Sequence, residues 1–178
     1  MARSNLSVGA LLAILLCVSI AAIDHSIIAT ALPIMGKEMN ITQSGLQWVA
    51  NSFTIAFASG LFVAGRLADR YGRKRILLIG LVVFLAAAAY TATATTALGV
   101  TIGRGLMGLG GTMLLPSTLA IISSQAAPSR KALAISLWSG VFGVGVALGP
   151  LLGGWLLDNY SWNSIFWINV PLLVLAIV

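Results

Sequence analysis

Two charged residues lie inside long apolar runs, where an ionised side chain is costly. Asp24 falls within the run Val8–Leu32, and Arg104 falls within the run Val100–Ile122. A charge at the centre of a membrane-spanning helix costs roughly 2.5–3.5 kcal/mol on insertion scales, so such residues usually face a partner or a polar cavity. A carboxylate in this setting can bind a proton or a cation, which is the chemistry of an ion pathway.

The positions of Asp24 and Arg104 along their runs place them at a similar depth. Asp24 lies past the middle of its run, about 6 Å toward one side of the membrane, and Arg104 lies about 10 Å toward the same side on a run of opposite direction. The sequence therefore predicts a pair, direct or through water. One interpretation is a site that couples proton and substrate binding, and the other is an ion pair that only orders the helices. His25 points about 100° away from Asp24 on the helix and is assigned no role.

The sequence around these residues is typical of an integral membrane protein. Of its 178 residues, 59% are hydrophobic and 8% are charged, whereas a soluble domain carries about 25% charged residues. Helices are the expected spans, because lipid offers the backbone no hydrogen-bond partners. The predicted helices cover residues 8–32, 46–64, 76–97, 100–122, 132–157 and 165–178.

The sixth run is shorter than the other five. Its 14 residues would reach about 21 Å, short of a hydrocarbon core of about 30 Å. We therefore predict an all-α integral membrane chain of five complete helices and a truncated sixth. We also expect residues 1–178 to be a fragment, a truncated reading frame or one part of a larger protein.

The segment Gly65–Arg75 separates the second and third apolar runs and holds five of the ten Lys and Arg residues. We predict a cytoplasmic loop here, because basic residues gather on the cytoplasmic side. With a cytoplasmic N-terminus, the outer segments hold only Lys37, and the inner segments hold Arg3, Arg66, Arg70, Arg73, Lys74, Arg75, Arg130 and Lys131. The formal charge of +6 is explained by these loops without nucleic-acid binding.

The fifth run carries glycines at a helical spacing. Gly145, Gly149 and Gly153 recur every four residues, with Pro150 and Gly154 beside them. Small residues on one face allow helices to approach closely, and a proline permits a bend. The pattern indicates tight packing, a hinge or gate, or both, and favours packing.

Several kinds of chemistry have no basis in this sequence. The four acidic residues form no carboxylate pair, and no metal cluster or catalytic triad is present, so we expect neither an enzyme nor a metal or cofactor site. Residues 103–108 match the pattern G-x-G-x-x-G, but no strand precedes them, as a dinucleotide site requires. Cys17 is the single cysteine, which excludes a disulfide within the chain.

Three motifs resemble those of the major facilitator superfamily. The first resembles the loop between helices 2 and 3, G-x-L-a-D-r-x-G-r-k-x-x-l, and comprises Gly65, Leu67, Asp69, Arg70, Gly72, Arg73, Lys74 and Leu77. The second resembles the helix 4 pattern R-x-x-q-G-x-g and comprises Arg104, Gly108 and Gly110, with Met107 where Gln is frequent. The third resembles the helix 5 antiporter motif, g-x-x-x-G-P-x-x-G-G, and comprises Gly145, Gly149, Pro150, Gly153 and Gly154.

The ends of the chain resemble the fourteen-helix drug:proton antiporters of that superfamily. Residues 24–33, D-H-S-I-I-A-T-A-L-P, are similar to a helix 1 pattern in which Thr and Asn usually occupy the positions of Ser26 and Ala29. Trp162 and residues 165–171, I-F-W-I-N-V-P, are similar to the segment that leads into helix 6. The nearest resemblance is to exporters of quaternary ammonium compounds and methyl viologen. It covers only the N-terminal half of their fold.

The resemblance implies a mechanism and partners. Two six-helix bundles, each built from inverted three-helix repeats, would rock about a central cavity. Protons would drive cationic or lipophilic compounds out across the cell membrane, with Asp24 as the coupling carboxylate and Arg104 as its modulator. Asp69 and its basic neighbours would act in gating, and the fifth-helix glycines would shape the bundle interface. The implied partners are lipid, protons, such compounds and a C-terminal half.

Two alternatives remain open at this stage. The chain on its own could be a non-transporting membrane fragment or a half-unit that needs a partner. A metabolite importer of the same superfamily is the other alternative, and the complete helix 5 motif argues against it.

Overall fold

The computed structural model describes residues 6–177, and these residues fold as a bundle of helices. The elements are α1 (Val8–Glu38), α2 (Gln43–Tyr71), α3 (Arg73–Thr93), α4 (Ala97–Gln125), α5 (Pro128–Asn159), α6 (Ser164–Trp167) and α7 (Asn169–Ile177). The first five are long and apolar enough to cross a membrane, and residues 164–177 form a shorter apolar segment. The predicted all-α membrane architecture of five complete helices and a short sixth segment is confirmed.

Hydroxyl side chains define where three of the helices begin. Ser7, Thr42 and Thr96 each accept a hydrogen bond from the backbone N–H three residues further on, at 3.1–3.2 Å. Such caps satisfy one of the unpaired N–H groups at a helix start. The predicted end of the third helix at residue 97 is wrong, because α3 already ends at Thr93 and the Thr96 cap starts α4 at Ala97.

Helix α1 continues through Pro33, where the sequence predicted its end. Proline removes one N–H from the helical ladder, but bonding resumes beyond it, and Met39 N–H still donates to the Met35 carbonyl at 3.0 Å. The helix therefore ends at Glu38 instead of Leu32. Because α1 is longer than predicted, Asp24 lies about 1.5 Å from its middle along the axis, instead of about 6 Å.

The predicted loop at residues 65–75 is almost entirely helical. Helix α2 extends to Tyr71 and α3 starts at Arg73, so Gly72 alone connects them. Gly72 has a φ of 95°, a conformation that only glycine adopts without strain. Arg73 fixes the start of α3 by donating from Nη1 to the carbonyl of Ala120 in α4, at 2.6 Å. One glycine at positive φ thus replaces a longer loop.

The helices pack in two groups. Helix α1 lies along α5, while α4 lies along both α2 and α3. Half or more of the apolar window of α1, α3 and α4 is buried, against 17% in α2 and in α5. Helices α1 and α4 therefore carry the residues that meet at the centre, and α2 and α5 present broad outer faces.

The last apolar segment is interrupted at Ile168, between α6 and α7. Pro171 lacks the N–H that would bond to the Trp167 carbonyl, while Ile168 keeps helical angles of φ −60° and ψ −29°. The predicted run 165–178 therefore comprises α6 and α7 over the described residues. Ile165, Phe166 and Leu173 are fully buried. They hold this segment against α1 and α3.

Candidate functional site

The structure brings Asp24 and Arg104 into direct contact. Arg104 Nη1 donates to Asp24 Oδ2 at 2.7 Å. The Asp24 side chain is 0% exposed and that of Arg104 is 1% exposed. The contact joins α1 to α4, so it links the two groups of packed helices.

A third residue, Asn169, completes the surroundings of the carboxylate. Its Nδ2 donates to Asp24 Oδ1 at 2.7 Å, and the residue is 1% exposed. Each oxygen of Asp24 therefore has one donor, a charged one from α4 and a neutral one from α7. This role of Asn169 was not predicted from the sequence. An amide within the apolar segment 165–177 was the signal that could have found it, because a buried amide needs a partner.

Phe53 of α2 supports Arg104 from the other side. The guanidinium carbon lies 4.6 Å from the centre of the Phe53 ring, within the range of a cation–π interaction. The ring is itself held edge-on by Phe84 at 6.4 Å and stacked by Phe57 at 6.1 Å. Arg104 Nε has no hydrogen-bond partner among residues 6–177. The ring face therefore provides the favourable contact on this side of the guanidinium.

His25 takes no part in the hydrogen bonds to Asp24. It is exposed, and its ring lies 5.8 Å from the ring of Phe53. The α1 helix turns it away from the carboxylate, as the spacing of adjacent helical residues requires.

Glycines in α4 allow its backbone to come close to α2 and α3. A Cβ on Gly108 would collide with the backbone carbonyl of Phe53, and a Cβ on Gly103 would collide with the Thr91 hydroxyl. These close approaches bring Arg104 within reach of the Phe53 ring. Gly103 and Gly108 thus serve helix packing inside α4.

The fifth-helix motif divides between two faces of α5. A Cβ on Gly145, Gly149 or Gly153 would collide with α1, at Ala22, Ser26 and Thr30 respectively. Pro150 is exposed, and a Cβ on Gly154 would meet nothing within 4 Å. Three of the motif residues therefore pack α5 onto α1, while Pro150 and Gly154 lie away from it.

The residues of the basic motif lie at one end of the bundle, far from Asp24 in sequence and in the fold. Asp69 is 78% exposed, and its Oδ1 lies 4.0 Å from Arg73 Nη2. Arg70 stacks over the ring of Tyr71, with its Cζ 5.4 Å from the ring centre. Lys74 is exposed, and Gly65 lies within α2. The structure brings Asp69 together with Arg73 but not with the Asp24 cluster.

The three departures from the family patterns have distinct settings. Met107 is fully buried and its sulfur accepts from Thr91 Oγ1 at 3.7 Å. Ser26 bonds back to the carbonyl of Ile23 at 3.2 Å and faces Gly149. Ala29 is exposed. None of the three hydrogen-bonds to Asp24 among the described residues.

Several similar proteins are named for antibiotic or multidrug resistance, export or efflux. The chain is 33% identical to the tetracenomycin C resistance and export protein of Streptomyces glaucescens, over 94% of this chain and 31% of the relative. It is 36% identical to the multidrug efflux pump LfrA of Mycolicibacterium smegmatis, over 95% of this chain and 34% of the relative. It is 32% identical to the methylenomycin A resistance protein of Bacillus subtilis, over 98% of this chain and 38% of the relative. The chain spans about a third of the length of these curated relatives.

Solved transporters share the fold. A crystal structure of the peptide transporter POT matches with a TM-score of 0.83 at 18% identity, over 94% of this chain and 36% of that one. A D-xylose-proton symporter matches with a TM-score of 0.79 at 16% identity, over 94% of this chain and 46% of that one. The family model described as the Major Facilitator Superfamily matches residues 14–178. The five long apolar helices of this chain are those of a multi-pass membrane protein. The chain belongs to the major facilitator superfamily.

Proposed function

We propose that this chain forms the N-terminal helical bundle of an exporter that exchanges cationic or lipophilic small molecules for protons. Asp24 is the group that binds the proton or the cation. The names of the relatives, which concern antibiotic resistance, export and multidrug efflux, support the outward direction of transport. Exchange by rocking requires a second bundle that faces this one, so the activity is that of a transporter containing both.

The observation that carries the proposal is the complete burial of the Asp24–Arg104 pair. Replacing a buried ion pair with well-packed apolar residues is often neutral or stabilising, so such a pair is weak support for a purely structural role. Ionisable groups inside a membrane instead mark ion and substrate pathways. Asp24 is also the acidic member of a cluster whose other members cannot release a proton at physiological pH.

The geometry gives the exchange a simple physical basis. Asp24 is closed off from solvent in this conformation, so α1, α4 or α7 must move before a proton or a cation reaches it. A proton neutralises the carboxylate and a cationic substrate is attracted to its charge, so the two exclude each other. Protonation also removes the charge that Arg104 contacts. The link between α1 and α4 then weakens when the proton is bound.

The exchange can be tested with the substitution Asp24→Asn. In everted membrane vesicles containing the complete transporter, an imposed proton gradient should drive uptake of a cationic dye such as ethidium. Asp24→Asn keeps the side-chain size but cannot bind a proton, so uptake should fall to the level of vesicles without transporter. Asp158→Asn is the matched control, since Asp158 is exposed at the end of α5, and it should keep wild-type uptake.

Two results would contradict the proposed function. One is wild-type dye uptake by Asp24→Asn at an equal amount of protein in the membrane. The other is wild-type uptake that persists after a protonophore collapses the gradient. Dye that leaves the vesicles together with protons, in the same direction, would also contradict proton-coupled export, because protons and substrate move together in a proton-driven importer.

We further propose that the protein lies in the cell membrane with the single-residue connection at Gly72 on the cytoplasmic side. The basic residues of the connections support this, because Lys and Arg are enriched in cytoplasmic segments. Lys74 lies beside that connection, at the start of α3. Lys37 lies near the connection between α1 and α2, at the other end of α2. Both lysines are exposed. A membrane-impermeant amine reagent applied to intact cells should label Lys37 and spare Lys74, and the reverse pattern would invert the orientation.

A further inference from the structure

Asn169 differs chemically from the other hydrogen-bond partner of Asp24. Among the described residues, two side chains donate to the carboxylate: Arg104 to Oδ2 and Asn169 to Oδ1, both at 2.7 Å. The guanidinium of arginine carries only donors, whereas a side-chain amide carries an NH₂ donor and a carbonyl acceptor. Only Asn169 can therefore exchange the role of donor for that of acceptor.

A protonated carboxyl group needs such an exchange. Protonation turns one oxygen into an O–H donor, and a donor buried without an acceptor carries a desolvation penalty. On the Arg104 side, the new O–H would meet an N–H. On the Asn169 side, it would meet an amide whose oxygen can be turned toward it.

We propose that Asn169 is the positioning residue that accommodates the proton on Asp24, an inference that rests on the proposed function. A hydronium ion transfers its proton to Asp24 Oδ1: one O–H bond of hydronium breaks, a water molecule remains, and the new O–H bond neutralises the carboxylate. The Asn169 amide turns by about half a turn about its last side-chain torsion, and its oxygen accepts the O–H. Asp24 Oδ2 continues to accept from Arg104, and release of the proton to water reverses each change.

The packing around Asn169 is compatible with this turn. The residue is 1% exposed at the first position of α7, but the turn only exchanges an oxygen for an NH₂ group of similar size and needs no cavity. The charged and titratable groups near Asp24 among residues 6–177 are Arg104 on α4 and His25 on its own helix. Phe53 of α2 adds an apolar ring against the guanidinium, and His25 is exposed and makes no hydrogen bond to Asp24.

Infrared difference spectroscopy of the complete transporter can test the proposal directly. A pH titration should reveal the C=O stretch of protonated Asp24, identified by its absence in Asp24→Asn. In wild type this band should lie at the lower frequency of a carboxyl that donates a hydrogen bond. In Asn169→Leu it should shift to the higher frequency of a carboxyl without an acceptor, while Asn169→Gln, which keeps an amide, should shift it less.

Asn163 provides the matched control. Its Nδ2 donates to the backbone carbonyl of Ala92 at 2.7 Å, a group that does not titrate. Asn163→Leu should leave the Asp24 band in place. Wild-type protein labelled with ¹³C-asparagine supplies a measurement in the unmodified chain: titration of Asp24 should change a labelled amide C=O band. Asn169→Gln then assigns this change, because the variant should remove it.

The outcomes separate this inference from the proposed function. If wild type shows no Asp24 carboxyl band at any pH at which it is folded, Asp24 binds no proton and both are overturned. If the band is present but Asn169→Leu leaves its frequency unchanged, the inference alone fails. The inference also fails alone if the labelled amides do not respond while Asp24 titrates.

Discussion

Replacing Gly149 with alanine tests the contact between α5 and α1. A Cβ at this position would collide with the Ser26 hydroxyl and would lie 3.0 Å from both the Ile23 carbonyl oxygen and the Ile27 nitrogen. The serine can rotate away, but the two backbone atoms cannot. Helix α5 must therefore move off α1.

The cost of Gly149→Ala follows from these distances. Ordinary van der Waals contact for a Cβ begins at 3.4 Å, against the 3.0 Å at the two backbone atoms, so the helices must separate by roughly 0.4 Å there. Overpacking of this kind typically costs about 1–3 kcal/mol. Alanine also gains about 1 kcal/mol of helix propensity over glycine, which partly hides the cost.

Gly143→Ala removes that ambiguity, because it lies in the same helix and its Cβ would meet nothing within 4 Å. The gain in helix propensity is the same for both variants and cancels. Gly149→Ala should therefore unfold with a free energy about 1–3 kcal/mol lower than Gly143→Ala. Adding Ser26→Ala should recover only part of the difference, since the backbone contacts remain.

Reversible unfolding in mixed micelles with increasing sodium dodecyl sulfate, followed by circular dichroism, measures these free energies. Equal stability of Gly149→Ala and Gly143→Ala would refute the close approach of α5 to α1 at this position. Full recovery by Ser26→Ala would show that only the hydroxyl opposes the added methyl group.

Two further predictions concern stability in the same assay. Arg104→Met leaves the carboxylate of Asp24 buried without its counter-charge, so it should lower the free energy of unfolding by about 3–5 kcal/mol. The double variant Arg104→Met with Asp24→Asn should recover most of that loss. Equal losses in the single and double variants would contradict the pairing. Gly72→Ala should cost about 1–3 kcal/mol, because the φ of 95° is unfavourable for alanine although its Cβ would meet nothing within 4 Å. Gly65→Ala is the control, because its Cβ also meets nothing within 4 Å but the residue lies inside α2, and it should be neutral or stabilising. A Gly72→Ala variant as stable as Gly65→Ala would show that the backbone at residue 72 changes its φ without cost.

The helical architecture could be predicted from the sequence because hydropathy records which segments lipid can accept. The ends of the helices depend on other physics. Thr96 starts α4 through a single hydroxyl, and α1 passes Pro33 because the loss of one hydrogen bond does not end a helix whose neighbouring bonds are kept. Hydropathy contains neither effect, so both boundaries were predicted wrongly.

The candidate site could be predicted in part. Asp24 and Arg104 stand out because a charge is rare in an apolar run, and helix geometry predicted that they could pair, although the extension of α1 beyond Pro33 changed the depth expected for Asp24. Asn169 is neutral, and its partner lies 145 residues away in sequence, so no local pattern assigns it to Asp24. Phe53 looks like any core aromatic, and only the packing of α2 against α4 places its ring under the guanidinium.

The single residue between α2 and α3 limits how the two helices can move. The Cα atoms of Tyr71 and Arg73 are two chain steps apart, so they can never separate by more than about 7 Å. The two helix ends therefore share nearly all of their translation and retain mainly a swivel at Gly72. Arg73 also binds the start of α3 to α4 through its hydrogen bond to the Ala120 carbonyl. A displacement of this end of α4 would therefore move the start of α3, and with it the end of α2.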